Sequence, residues 1–309
     1  MQEKIGNVTL DYEYYPGEDL YSDGPVEEEL LEIAKNYQEK ELNQLIYERN
    51  SWPVLYHFSH IRQNILEWLP ITKEQNVLEI GSGCGPITGV LARKAKSVTC
   101  IDLSKMRSTI NAYRNRECDN VKIMVGNFQD VESSLTEKYD YITLIGVFEY
   151  SQGYIGTARP YVEMLRRIAR HLAPGGRIVI AIENRLGLKY WAGCTEDHVG
   201  KYFEGLENYP DTRSVRTFSR KELSDIIDQA GAFRTTFYYP YPDYKFPMTI
   251  YSDKRLPKKG ELRDNFCNFD RNRIQLFNEG KVYDSLTDAG LFQEFSNSFL
   301  VLVERKENK

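Results

Sequence analysis

Residues 77–85 read Val77-Leu78-Glu79-Ile80-Gly81-Ser82-Gly83-Cys84-Gly85, and this stretch decides how the rest of the chain is read. An apolar run breaks into three glycines at alternate positions, and an amphipathic run through Ile87, Val90, Leu91 and Ala92 follows. The pattern predicts a buried strand, a tight turn and a helix start, which together let backbone N–H groups approach a ligand closely. The spacing is G-x-G-x-G, with Pro86 where the dinucleotide fingerprint G-x-G-x-x-G wants its third glycine. That points away from NAD and towards a nucleoside ligand without phosphates.

On either side, strand and helix patterns alternate. Strands are expected at 76–80, 97–101, 121–125, 139–146 and 177–182, and helices at 86–95, 104–116 and 158–172. Such alternation implies right-handed crossovers and a parallel sheet. Ile178-Val179-Ile180-Ala181-Ile182 has no polar alternation, as suits a sheet covered on both faces. Pro174-Gly175-Gly176 is expected to turn the chain before that strand. A capping box of Ser219 and Glu222 opens another helix that Gly231 ends, and strands 233–239 and 298–304 complete the sheet. Apolar stripes through Leu30, Ile33, Ala34 and Tyr37, and through Ile61, Ile65, Leu66 and Leu69, predict a helical extension over 1–70. The main domain then spans 71–309, with insertions at about 186–216 and 240–296. Both are too long for structureless loops inside a compact domain, so ordered insertions forming a lid are expected.

The 309 residues carry a formal net charge of −5, which supplies no field to attract nucleic acid. The longest apolar run, Ile142–Phe148, is far below the ~20 residues that span a bilayer, and no secretory signal pattern opens the chain. Cysteines 84, 100, 118, 194 and 267 contain no C-x-x-C pair, which argues for reduced thiols, against a zinc site, and for a cytoplasmic setting. No metal-ligand set is read from the spacing.

In an open parallel sheet, ligands bind outside the carboxyl ends of the strands. There the sequence places Asp102, whose two oxygens can accept from both ribose hydroxyls, then Gly126-Asn127-Phe128, where an amide and a ring suit a purine base, then Ile145-Gly146-Val147-Phe148-Glu149. These strand ends, taken in order, resemble the class I S-adenosylmethionine-dependent methyltransferases over about 75–185. The resemblance implies an α/β, Rossmann-like, seven-stranded mostly parallel sheet with helices on both faces and S-adenosylmethionine as cofactor. It implies cofactor contacts from Glu79, Gly81, Ser82, Gly83 and Gly85, from Asp102 and Leu103, from Asn127 and Phe128, and from Gly146 and Val147 beside the reactive methyl. The adenine position is usually Asp in that family and is Asn127 here.

Methyl transfer from a sulfonium is an in-line displacement, so a general base is needed only for an acceptor proton of high pKa. Glu149 and the carboxylate-neighboured imidazole of Asp197-His198 are the candidates. The run Glu183-Asn184-Arg185-Leu186-Gly187-Leu188-Lys189-Tyr190 is similar to methyltransferases that accompany bacterial surface-polysaccharide glycosyltransferases, which makes Asn184, Arg185 and Tyr190 candidate substrate contacts. Aromatic insertions (Tyr190, Trp191, Tyr202, Phe203 and Tyr209, then Tyr238, Tyr239, Tyr241, Tyr244 and Phe246) suit sugar rings or planar acceptors. Residues 254–273 hold seven Lys/Arg against three Asp/Glu, enough to hold a phosphate. The expectation is O-methylation of a small-molecule or carbohydrate acceptor, with no nucleic acid or membrane partner and no statement on oligomeric state. The alternatives are N-methylation of RNA or protein, and a non-catalytic cofactor-binding scaffold.

Overall fold

The structure is a computed structural model and describes every residue except 20, 266–272 and 307–309, so Cys267 lies outside the described residues. The chain divides into two compact units, Met1–Leu144 with Arg170–Arg177 and Ile145–Ala169 with Ile178–Lys309.

The first unit begins with strands β1 (Gln2–Ile5) and β2 (Val8–Asp11), followed by helices α1 (Val26–Asn36), α2 (Leu42–Arg49), α3 (Trp52–Phe58) and α4 (Asn64–Glu67). It continues as β3 (Asn76–Ile80), α5 (Thr88–Lys94), β4 (Ser97–Asp102), α6 (Lys105–Arg114), β5 (Val121–Val125), α7 (Phe128–Val131) and β6 (Tyr139–Ile145). These strands hydrogen-bond in the order β1-β2-β5-β4-β3-β6, antiparallel between β1 and β2 and parallel from β2 to β6. The chain moves outward from β3 to β4 and β5, then returns to β6 on the other side of β3. The strand order therefore reverses at the carboxyl end of β3, where the glycine turn lies. Val77, Leu78, Val98, Ile101, Ile123, Ile142 and Leu144 are buried, as runs without polar alternation require.

The extension departs from the helical expectation at its start. Val8-Thr9-Leu10 alternates buried and half-buried side chains with period two, and the segment joins the sheet beside β5, Leu10 opposite Ile123. The helices that follow pack Leu30, Ile33, Leu45, Val54 and Phe58 against Ile110 of α6 and against Cys84 of the glycine turn. The extension thus buttresses the turn.

The second unit holds α8 (Ser151–Tyr154), α9 (Pro160–Arg170), β7 (Leu172–Glu183), α10 (Leu188–Trp191), α11 (Arg220–Ala230), β8 (Phe233–Tyr241), β9 (Thr249–Ser252), α12 (Glu279–Asp288), α13 (Phe292–Phe295) and β10 (Ser298–Arg305), with the last residue of α9 and the first six of β7 in the first unit. Its strands run in the order β7-β10-β8-β9, with β8 antiparallel to both neighbours. Pro174-Gly175-Gly176 lies within β7 instead of before it: the strand continues through Gly175, whose φ of +73° kinks it. Ten strands form where seven are expected, the additions being β1 and β2 beside β5 and β9 beside β8. The capping box of α11 forms as predicted, with Ser219 N–H donating to Glu222 and the Glu222 N–H facing Ser219 Oγ.

The second insertion is ordered by its own apolar interior. Tyr239, Tyr251 and Tyr283 each set an edge or tilted ring against Phe292 at 5.6–6.1 Å, and Tyr241 meets Tyr283 at 6.3 Å. Tyr239 and Tyr241, expected to face an acceptor, belong instead to this small core, and only Trp191, Tyr202 and Phe203 of the named aromatics are exposed. Four of the six described cations of the basic stretch are likewise paired within the protein: Arg255, Lys259, Arg263 and Arg273 face Glu261, Asp288, Asp284 and Glu279.

Candidate functional site

The glycine turn hangs from the end of β3, where the Gly81 N–H donates to Ile101 O of β4 at 2.8 Å. Gly81, Gly83 and Gly85 have φ of +72°, +51° and +75°, the left-handed region where a side chain is strained. Their neighbourhoods differ. Among the described residues a Cβ on Gly83 would meet only the Arg107 guanidinium, at 4.0 Å, so the described residues leave the backbone there uncovered. A Cβ on Gly85 would lie 2.3 Å from Asn111 Oδ1, so this glycine answers to helix packing and not to a ligand.

Asp102 ends β4 and ties the turn to α6. Its Oδ2 accepts from Gly83 N–H at 2.7 Å and its Oδ1 from Ser104 N–H at 3.0 Å. Burial pushes its pKa up, against the pull of Arg107. Each carboxylate oxygen has two lone pairs, so both retain one for a ribose hydroxyl. Leu103 beside it is half-buried. Glu79 is placed otherwise than expected: it is buried beneath the turn, accepting from Thr88 Oγ1 at 2.7 Å and Cys100 Sγ at 3.4 Å. Burial pushes its pKa up to about 7. Through Oε2 it supports the turn from inside. Ser82 is buried within the turn. Asn127 caps α7, its Oδ1 accepting from Gln129 N–H at 3.0 Å, and Phe128 is buried. Tyr14 of the extension lies over Gly126, where a Cβ would come 2.7 Å from it.

In the second unit, Gly146 takes φ +70° and a Cβ there would lie 2.7 Å from the Tyr244 hydroxyl, so the close approach made by this glycine is to Tyr244. Val147 beside it is half-buried. Glu149 follows, fully buried, and belongs to a charged cluster that the sequence shows only in part. His198 Nε2 lies 3.5 Å from Glu149 Oε1 and 3.8 Å from Glu183 Oε2, and its Nδ1 lies 2.9 Å from Glu196 Oε1. Burial alone would lower the His198 pKa, but Glu183 and the hydrogen bonds to Glu149 and Glu196 raise it well above the usual range. The ring is therefore a cation at neutral pH, and the carboxylates are the groups able to accept a proton.

The carboxylate that holds the imidazole is Glu196, not the adjacent Asp197. Asp197 instead bridges Lys189, at 2.6 Å, and Lys245, at 3.2 Å, while Lys189 also reaches Asp243 at 2.9 Å and Lys245 pairs with Glu183. Tyr190 joins this network, its hydroxyl donating to Asp197 at 3.0 Å. Asn184 does not face a substrate. It is fully buried, its amide donates to Glu294 O and Ser296 O at 2.8 Å each, and its Oδ1 accepts from Leu186 N–H. Arg185 is held by Glu222 at 2.7 Å and serves the start of α11. Sequence reasoning missed Glu196, Lys189, Asp243 and Lys245, since no local periodicity links positions 149, 183, 196 and 245. No helix among the described residues is long and apolar enough to cross a membrane.

The family described as a methyltransferase domain matches residues 55–232, more than half of the chain. An uncharacterized methyltransferase of Staphylococcus carnosus is 26% identical over 171 residues, 54% of this chain and 74% of that protein. Ribosomal RNA small subunit methyltransferase A of Listeria monocytogenes is 34% identical over 88 residues, and the match spans 26% of this chain and 28% of that enzyme. Among solved structures, a chain from the complex of the Haloferax volcanii Trm112 methyltransferase activator with its partner superposes with a TM-score of 0.51 at 18% identity, covering 88% of this chain and 99% of that one. At that identity the likeness speaks for the fold alone. A Gly83 backbone that the described residues leave uncovered and the spare lone pairs of Asp102 fit the nucleoside and tail of S-adenosylmethionine, the cofactor of this family. With the matched domain running from α3 through the glycine turn to α11, the chain belongs to the S-adenosylmethionine-dependent methyltransferases.

Proposed function

We propose that the chain transfers a methyl group from S-adenosylmethionine to a hydroxyl oxygen of a small or sugar-like acceptor. Gly81, Gly83, Asp102, Asn127 and Phe128 hold the cofactor, and the charged cluster of the second unit serves the acceptor. In the step, the acceptor oxygen forms a bond to the methyl carbon while the carbon–sulfur bond breaks towards sulfur. The products are a methyl ether and S-adenosylhomocysteine, and the acceptor proton passes to a carboxylate. The observation that carries this reading is Glu149: it is buried, His198 lies 3.5 Å from its Oε1, and its Oε2 accepts no hydrogen bond from the described residues. A carboxylate so placed is a proton acceptor held in position, which methyl transfer to an ionised or carbon acceptor would not require.

The test is S-adenosylhomocysteine release from S-adenosylmethionine with free sugars, nucleotide sugars and phenols as acceptors. With a competent hydroxyl acceptor, Glu149→Gln should lose about 100-fold in kcat, within the range for general bases, with unchanged cofactor affinity. Full turnover by that variant would remove Glu149 from the chemistry. A second reading, methylation of RNA, draws on the identity to the Listeria enzyme over 88 residues, and transfer of labelled methyl into ribosomal RNA but into no hydroxyl acceptor would favour it.

A further inference from the structure

The cluster around His198 gathers more negative charge than its cations balance. Five carboxylates, Glu149, Glu183, Glu196, Asp197 and Asp243, stand among three cations, the Lys189 and Lys245 ammonium groups and the His198 imidazolium, counting the described residues. Both ammonium groups are engaged: Lys189 by Asp197 and Asp243, Lys245 by Glu183 Oε1 and Asp197. Glu149 Oε1 and Glu183 Oε2 converge on His198 Nε2, at 3.5 and 3.8 Å. Glu149 and Glu183 are 1% and 0% exposed. The Oε2 atom of each is buried and accepts no hydrogen bond from the described residues. Orphaned carboxylate oxygens at that depth are costly unless a cation answers them.

The imidazole is presented as a ligand would be. Its Nδ1 lies 2.9 Å from Glu196 Oε1, so Nδ1–H donates there and leaves Nε2 facing Glu149 and Glu183. A carboxylate behind the far nitrogen fixes the tautomer and raises the basicity of a metal-binding histidine. One ligand atom from each of Glu149, Glu183 and His198 lies within 4.8 Å of the others. Two ligands each about 2.1 Å from a tetrahedral ion stand about 3.4 Å apart, against 3.5 and 3.8 Å from Nε2 to the two carboxylates here.

We propose that Glu149, Glu183 and His198 bind one divalent first-row cation, zinc or manganese, with Glu196 as the residue that positions the imidazole. An imidazole with two carboxylates suits these ions, and three protein ligands leave a coordination position open, as catalytic sites do. The ion takes the place of the proton on Nε2, which is released, while Nδ1–H stays with Glu196. An acceptor hydroxyl in the open position loses its proton more readily, and the second oxygen of Glu149 remains to receive it. This last step rests on the methyl-transfer reading, whereas the ion site does not.

The test uses the full chain, stripped with a chelator and titrated with zinc chloride or manganese chloride by calorimetry, with elemental analysis of the dialysed product. The expected result is a single equivalent bound. Glu183→Gln and His198→Gln should abolish it, and Glu196→Gln, which removes no ligand atom, should weaken it by about 10–100-fold. Circular dichroism reports whether each variant folds, and Glu196→Gln keeps the test open if a ligand variant does not. Uptake well below one equivalent by the wild-type chain, or equal uptake by the wild type and all folded variants, overturns the proposal. A parallel titration with S-adenosylmethionine separates the two readings. A chain that binds the cofactor but no ion refutes the site and leaves methyl transfer standing. One that binds the ion but no cofactor does the reverse.

Discussion

Gly83 and Gly85 differ by two positions and share a left-handed backbone, yet they serve different ends. At Gly85 the barrier is packing, because a Cβ would press on the Asn111 side chain at 2.3 Å, part of a chain of hydrogen bonds through Thr88 to Glu79. At Gly83 no packed atom of the described residues lies closer than 4.0 Å to such a Cβ, and its N–H donates to Asp102. Gly83→Ala therefore carries only the conformational penalty, about 1–2 kcal/mol of stability, while placing a methyl where the ligand tail would lie. Gly85→Ala adds a steric clash to the same penalty and should cost more, about 2–4 kcal/mol. Denaturant midpoints should thus rank Gly85→Ala as the less stable variant. Among the folded proteins, S-adenosylmethionine affinity should fall further in Gly83→Ala. The opposite ranking in both measurements would mean that the turn meets its ligand through Gly85.

Helix α11 shows what a cap contributes at the scale of an element. Ser219 and Glu222 satisfy each other's backbone N–H groups, and Arg185 closes on Glu222 at 2.7 Å, which holds the Glu222 pKa down to about 2 despite burial. Removing the Ser219 hydroxyl should cost about 1 kcal/mol, the usual value for a lost N-cap. It should appear as a lower denaturant midpoint at unchanged slope, and a variant as stable as the wild type would mean that tertiary packing alone sets the start of α11. This cap was legible in the sequence because a capping box is a four-residue pattern, and the strands from β3 to β7 were legible because short, mostly apolar runs alternate with helical stripes. The strands β1 and β2 were not, since three residues of alternation in Val8-Thr9-Leu10 are too few to outweigh the helical stripes that follow. The site divides the same way. Gly81, Gly83 and Asp102 sit at strand ends that topology alone positions, whereas Glu196, Lys189 and Lys245 meet His198 through loops whose course no periodicity records. The tyrosines of the second insertion misled for a related reason: a ring that packs in a small core and a ring that stacks on a sugar look alike in sequence.

Across the whole molecule, the glycine turn and Asp102 belong to the first unit and the His198 cluster to the second, and the chain leaves the first unit at Leu144, re-enters at Arg170 and leaves again at Arg177. The first unit carries a group that ties its stability to pH. His57 of α3 is almost fully buried, with Nδ1 lacking a hydrogen-bond partner among the described residues and Nε2 facing Asp23 at 3.4 Å. Burial lowers its pKa most; Asp23 opposes that, and the nearby cations Arg107 and Arg62 add to it, leaving a value of about 4. In the unfolded chain the ring takes a proton near pH 6.5, while the folded protein refuses it until about pH 4. Between those values the unfolded state binds more protons, so stability falls as pH drops through 6.5 and levels off below about 4. At 1.36 kcal/mol per pH unit the loss is about 3 kcal/mol as an upper bound, since the Asp23 contact can adjust. Unfolding free energies measured from pH 7 to pH 4 should show this loss in the wild type, and a shallower slope in His57→Gln, whose side chain does not titrate. The variant's absolute stability is immaterial because the slope is the readout. Parallel slopes in the two proteins would place the acid sensitivity in the carboxylates and clear His57 of it.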